Sequence, residues 1–180
     1  MSRPRVLLAD DHRMVAEGLK TLLSPEFDLV GMVEDGAALV EAARVLRPDV
    51  IVADIGMPRL NGFEALAELR KEDPGVRVVF LTMHQEAAYA RRALESGALG
   101  FVLKHSAPDE LVTAIRAALE GRTYVTPALA GALQRTSTRS PETVTESEAT
   151  LSARQREILQ FLADGRSAKE IARRLNISHR

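Results

Sequence analysis

Four apolar runs in this sequence each stop at a residue able to do chemistry. The run 6–9 stops at Asp10 and Asp11, and the run 50–53 stops at Asp54. The run 78–81 stops at Thr82, and the run 101–103 stops at Lys104. Short, wholly apolar runs fit strands buried on both faces of a parallel sheet. Open sheets of that kind hold ligands outside the carboxyl ends of their strands. If the four runs are neighbours, three acids, one hydroxyl and one ammonium meet on a single rim. Crowded carboxylates repel each other. Mg²⁺ removes that repulsion, because it takes hard oxygen ligands and keeps waters that phosphate oxygens can replace. With Mg²⁺ on Asp11 and Asp54, the Asp54 carboxylate is placed to accept a phosphoryl group as an acyl phosphate. Such a transfer needs mainly positioning and charge neutralisation, and Lys104 and the Thr82 hydroxyl supply the second of these.

The elements that must hold these residues can be read from the pattern between them. After the first run, Val15, Leu19, Leu22 and Leu23 share one helical face over residues 14–23. Residues 27–33 read as a second strand, and Leu39, Val40, Ala43 and Leu46 mark a helix over 37–46 that Pro48 ends. Beyond Asp54, Pro58 and the pair Asn61-Gly62 force a turn. Helices follow over 63–71, 87–94 and 108–120, the last with Pro108 in its first turn and Gly121 at its end. Five strand–helix units of this kind predict a five-stranded, doubly wound parallel sheet with helices on both faces.

Composition bounds the function. The 180 residues are 46% hydrophobic and 27% charged, as in an ordinary globular protein. They include no cysteine, which excludes disulfides and thiolate metal sites. No apolar run approaches the roughly 18 residues of a membrane span, and residues 1–5 lead straight into a strand without a signal segment. A cytoplasmic protein without a membrane partner is expected. The net charge of −1 is unevenly spread: residues 151–180 carry seven Lys/Arg against three acids, which leaves −5 on the first 150. An acidic front and a basic tail predict two domains with different partners. Between them, residues 127–134 read as a short helix. Residues 135–150 are rich in Thr, Ser and Glu and read as a flexible linker. In the tail, Ser152 caps a helix over 153–163, Ser167 caps another over 168–175, and Asn176 opens a turn.

The acid pair Asp10-Asp11, the D-x-x-M-P-x-x-N-G loop from Asp54 to Gly62, the L-T-M-H run ending at His84 and the G-F-V-L-K run ending at Lys104 together resemble the receiver domain of two-component response regulators. The likeness covers residues 4 to about 122. It implies a flavodoxin-like fold, Asp54 as phosphoacceptor, and Asp10 and Asp11 with Asp54 in a Mg²⁺ site that the Gly56 main-chain carbonyl completes. Lys104 is expected to pair with the phosphoryl group and Thr82 to move to it, while Phe101 is the aromatic switch that swings inward. The phosphoryl donor implied is a sensor histidine kinase, and the chain is an acceptor rather than an enzyme. Gly56 leaves no side chain two residues past the acceptor to guide or block water. A haloacid-dehalogenase-type phosphotransferase would want a second acid at that place.

Residues 151–180 are similar to the LuxR-type helix-turn-helix of the NarL-like subfamily. That implies a transcription regulator acting on DNA as a phosphorylation-dependent homodimer, with Lys169, Arg173 and Arg174 as phosphate contacts. The recognition helix, which enters the major groove in such motifs, would begin at Ser178. The sequence holds almost none of it, so a small, incomplete all-α output segment is expected. The alternative is a receiver that acts only through protein contacts or as a phosphate sink. His12, His84 and His105 flank the motifs and read as solvated loop histidines.

Overall fold

In the computed structural model, which describes residues 3–106 and 108–137, strands and helices alternate along the chain. They run β1 (Arg5–Ala9), α1 (Arg13–Leu23), β2 (Asp28–Val33), α2 (Gly36–Leu46), β3 (Val50–Ala53) and α3 (Gly62–Glu72). Then come β4 (Val78–Thr82), α4 (Ala87–Glu95), β5 (Gly100–Leu103), α5 (Pro108–Leu119), β6 (Tyr124–Val125) and α6 (Pro127–Ser137). The strands form one parallel sheet in the order β2-β1-β3-β4-β5-β6. The order reverses direction between β1 and β3, so the loops after these two strands diverge and leave a crevice at their carboxyl ends.

The apolar runs are the middle of this sheet. Every residue of β3, β4 and β5 is buried, and β1 is buried from Val6 onward. Alternate side chains serve the two faces. On one, Leu7, Ala9, Ile51, Ala53, Phe80 and Phe101 pack against α2, α3, α4 and Leu129 of α6. On the other, Val6, Leu8, Val50, Val52, Val79 and Val102 pack against α1 and α5.

Three expectations change. The sheet has six strands, because Tyr124 and Val125 pair in parallel with Gly100 and Phe101. Two half-buried residues have too little hydrophobic periodicity to announce a strand, and their order comes from the free edge of β5. The last described helix runs to Ser137, three residues beyond its predicted end. Phe27, expected as a strand residue, closes the α1–β2 turn by donating its N–H to the Leu23 carbonyl at 2.9 Å. The linker expectation beyond 137, the two tail helices, and Lys169, Arg173 and Arg174 lie outside the described residues.

Candidate functional site

Each acid at the rim is held by its own strand end and the turn behind it. Asp54 follows β3 directly, and its N–H donates to the Ala9 carbonyl of β1 at 2.8 Å, which locks the two carboxylate-bearing strand ends together. Its Oδ1 accepts from the Gly56 N–H at 3.3 Å. Asp10 Oδ1 accepts from the His12 N–H at 2.9 Å, which orients that carboxylate. On the far side, the Lys104 N–H donates to the Thr82 carbonyl at 2.8 Å, joining the ends of β5 and β4.

The loop after Asp54 is braced from two directions. Asn61 caps α3, accepting from the Glu64 N–H at 3.0 Å while Glu64 accepts from the Asn61 N–H at 2.8 Å. Gly62 lies against the acceptor's own backbone: a Cβ there would stand 2.6 Å from the Asp54 carbonyl oxygen and 2.9 Å from the Phe80 ring. Gly36, at the start of α2, passes closer still to the Leu60 carbonyl, where a Cβ would be 2.0 Å away. Gly56 is the opposite case. A Cβ there meets nothing within 4 Å, so the approach to Asp54 is open on that side.

The charges meet at Lys104. Its Nζ lies 2.7 Å from Asp54 Oδ2 in a hydrogen bond, and 2.7 Å from Asp10 Oδ2 in an ion contact that lacks hydrogen-bonding direction. All three side chains are buried: 7% of the Lys104 side chain is exposed, against 1% for Asp10 and 9% for Asp54. Burial on its own lowers the affinity of the Lys104 ammonium for its proton and is the largest single influence. The close contacts and negative charges of Asp10 and Asp54 together outweigh it, and the ammonium is held above the ordinary lysine range.

The donor set fits a hard divalent cation. Ligand atoms of Asp10, Asp11, His12 and Asp54 lie within 4.8 Å of one another. Asp10 Oδ2 is buried and accepts no directed hydrogen bond; its ionic contact is the Lys104 ammonium at 2.7 Å, so a cation at the cluster would share that oxygen with Lys104. Oxygen ligands of this kind suit Mg²⁺.

The structure therefore brings Asp10, Asp11, Asp54 and Lys104 into one cluster, with Thr82 fully buried at the adjoining strand end. Phe101 is already inside, with no exposed surface, in register between Phe80 and Val125. Sequence reasoning missed three participants. His12 Nδ1 stands 2.8 Å from Asp11 Oδ1 and 3.3 Å from Asp10 Oδ1, in a cluster that a loop position alone does not reveal. His84 donates its N–H to Thr82 Oγ1 at 3.2 Å and stacks its ring on Tyr89. Thr126 is buried, and its Oγ1 accepts from the Leu103 N–H at 3.2 Å, one residue before Lys104. The signal for Thr126 was its place ahead of Pro127, the position of a helix cap.

Comparison with known proteins gives matches at both ends of the chain. Residues 6–116 match the response regulator receiver domain, and residues 149–180 match the bacterial regulatory proteins of the luxR family. The chain is 36% identical over 176 residues to the nitrate/nitrite response regulator protein NarL of Escherichia coli K12, covering 96% of this chain and 81% of that protein. It is similar to the crystal structure of a LuxR-family two-component response regulator from Aurantimonas sp. SI85-9A1 (TM-score 0.73, 36% identity, 77% of this chain and 100% of that one). It is also similar to RcsB in a structure of two RcsB dimers bound to two parallel DNAs (TM-score 0.70, 27% identity, 98% of this chain and 85% of that one).

Proposed function

Because the chain belongs to the two-component response regulators that control transcription through a LuxR-type output, we propose that Asp54 is its phosphoacceptor. The observation that carries this assignment is the Lys104 ammonium, 2.7 Å from both Asp10 and Asp54 in a buried setting. A buried cation between two carboxylates offsets part of the negative charge of the resting site, and it stands where negative charge builds when a phosphoryl group arrives.

One Asp54 carboxylate oxygen attacks the phosphorus of a kinase phosphohistidine. A P–O bond forms, the P–N bond breaks, and the electron pair returns to the donor imidazole. Lys104 turns from the Asp54 carboxylate toward a phosphoryl oxygen, and the Thr82 hydroxyl donates to another. Asp10, Asp11, Asp54 and the Gly56 carbonyl would hold Mg²⁺, which supplies charge neutralisation at the phosphoryl oxygens. Phe101 already lies inward, so Thr82 is the switch residue with travel still to make. The new charge biases a two-state element, and the output follows.

Residues 149–180 carry the regulatory end. RcsB binds DNA as dimers in its solved complex, and the same arrangement, a homodimer on DNA contacted in part through Lys169, Arg173 and Arg174, is our reading for this chain. Nothing in the comparisons supports a receiver acting only as a phosphate sink. No helix among the described residues is long and apolar enough to cross a membrane, and a cytoplasmic site beside a sensor kinase suits the chemistry. The test is intact mass after incubation with a small acyl phosphate and Mg²⁺. The parent chain should gain one phosphate and Asp54→Asn none; an adduct that persists in Asp54→Asn would sink the assignment.

A further inference from the structure

Thr82 is not an isolated group. Its Oγ1 accepts the N–H of His84, two residues on, at 3.2 Å. The His84 imidazole lies flat on the Tyr89 ring of α4, with centroids 4.2 Å apart and planes 8° from parallel. Tyr89 in turn stacks on Phe63 at 6.4 Å and 27°. Phe63 opens α3 directly behind the loop of Asp54; it touches Phe80 of the core at 5.1 Å and carries the Arg92 guanidinium over its ring at 4.4 Å. Both routes out of the rim, one through Thr82 and one through the Asp54 loop, thus end on a single ring of α4.

A loop imidazole whose side chain is 42% exposed has water as an alternative to this stack, so its flat seat on Tyr89 is a specific contact rather than a result of burial. The contact is also local. His84 is tied at one end to the hydroxyl that must move and at the other to the helix beyond it.

We propose that His84 is a positioning residue that couples the Thr82 hydroxyl to α4 through its stack on Tyr89. When Thr82 turns toward a phosphoryl group on Asp54, the turn it closes with the His84 amide shifts, the imidazole is drawn across or off Tyr89, and α4 resettles. This rests on Asp54 being the acceptor. A change of packing partner at one ring is a discrete, two-position event, which is the form of element that can carry a signal.

The sequence supplies its own reporter. The chain has two tyrosines and no tryptophan, so Tyr124→Phe leaves Tyr89 as the sole aromatic emitter of its class. The full-length Tyr124→Phe chain is titrated with a small acyl phosphate in Mg²⁺. Tyr89 emission is read at each step, and intact mass gives the fraction carrying the adduct. The emission should change in proportion to the adduct. That change, per adduct, should be lost in His84→Ala and regained in His84→Phe, which keeps a ring on Tyr89. An unaltered change in His84→Ala overturns the relay, and so does a parent that gains the adduct with steady emission. Loss that His84→Phe does not restore assigns the effect to the polar atoms of imidazole and overturns the stack as its carrier. A parent without adduct overturns the acceptor assignment and the relay with it.

Discussion

Replacing Lys104 by methionine tests the electrostatics of the rim most directly. The side chains are close in volume, and 7% of the lysine side chain is exposed, so packing changes little while the ammonium is lost. What remains is a pair of buried carboxylates, Asp10 and Asp54, that had shared one cation at 2.7 Å. Removing one partner of a buried ion pair costs about 3–5 kcal/mol, because the other charge is left uncompensated. At roughly 2–4 °C per kcal/mol for a chain of this size, the fall in Tm is about 6–20 °C. The assay is thermal unfolding of parent and variant in EDTA and again in Mg²⁺. The variant should recover part of the loss in Mg²⁺, since a cation among the acids replaces the missing charge. The pH dependence is fixed by the sign of the Lys104 shift. The folded ammonium holds its proton more tightly than the unfolded one, so its contribution is complete below the ordinary lysine range. It disappears only as pH rises through the raised folded value. The gap between parent and variant should then be level across neutral pH and close on the alkaline side. A variant as stable as the parent in EDTA, or a gap already closing near neutrality, would refute the reasoning.

Two further substitutions probe how the rim is held. Gly62→Ala puts a methyl 2.6 Å from the Asp54 carbonyl oxygen, so the acceptor's backbone must shift. A loss of about 1–3 kcal/mol in urea unfolding is expected, with slower adduct formation. An alanine variant with parent stability and rate would show the loop to be slack. Thr126→Val keeps the shape but removes the oxygen that accepts from the Leu103 N–H at 3.2 Å. Leaving that donor buried costs about 1–3 kcal/mol. Amide exchange at Leu103 should quicken, and unchanged exchange would show that the bond contributes nothing.

Much of the site is legible in the sequence. The sheet's middle could be read because β1, β3, β4 and β5 are nearly uniform apolar runs, and what ends such a run must stand at the rim. β6 could not be read. Tyr124 and Val125 become a strand only because β5 presents an unpaired edge, and no periodicity survives in two residues. The histidines are as solvated as a loop position predicts, with the His12 and His84 side chains 64% and 42% exposed. Their contacts were not legible, because only the folded chain sets His84 on Tyr89 and His12 beside Asp10 and Asp11.

The order of residue types along the chain thus determined which groups could do chemistry here and that a parallel sheet would present them. The strand order put β1 beside β3, and the parallel register carried Asp10 and Asp54 to the same edge. The meeting of one ammonium with both carboxylates belongs to the tertiary structure alone. Lys104 lies fifty residues from Asp54, and no local propensity acts over that distance. Packing against α1 and α5 on one face and α2, α3 and α4 on the other buries the strands up to their ends, so Asp10, Asp54 and Lys104 meet with little exposed side-chain surface and their charges interact strongly.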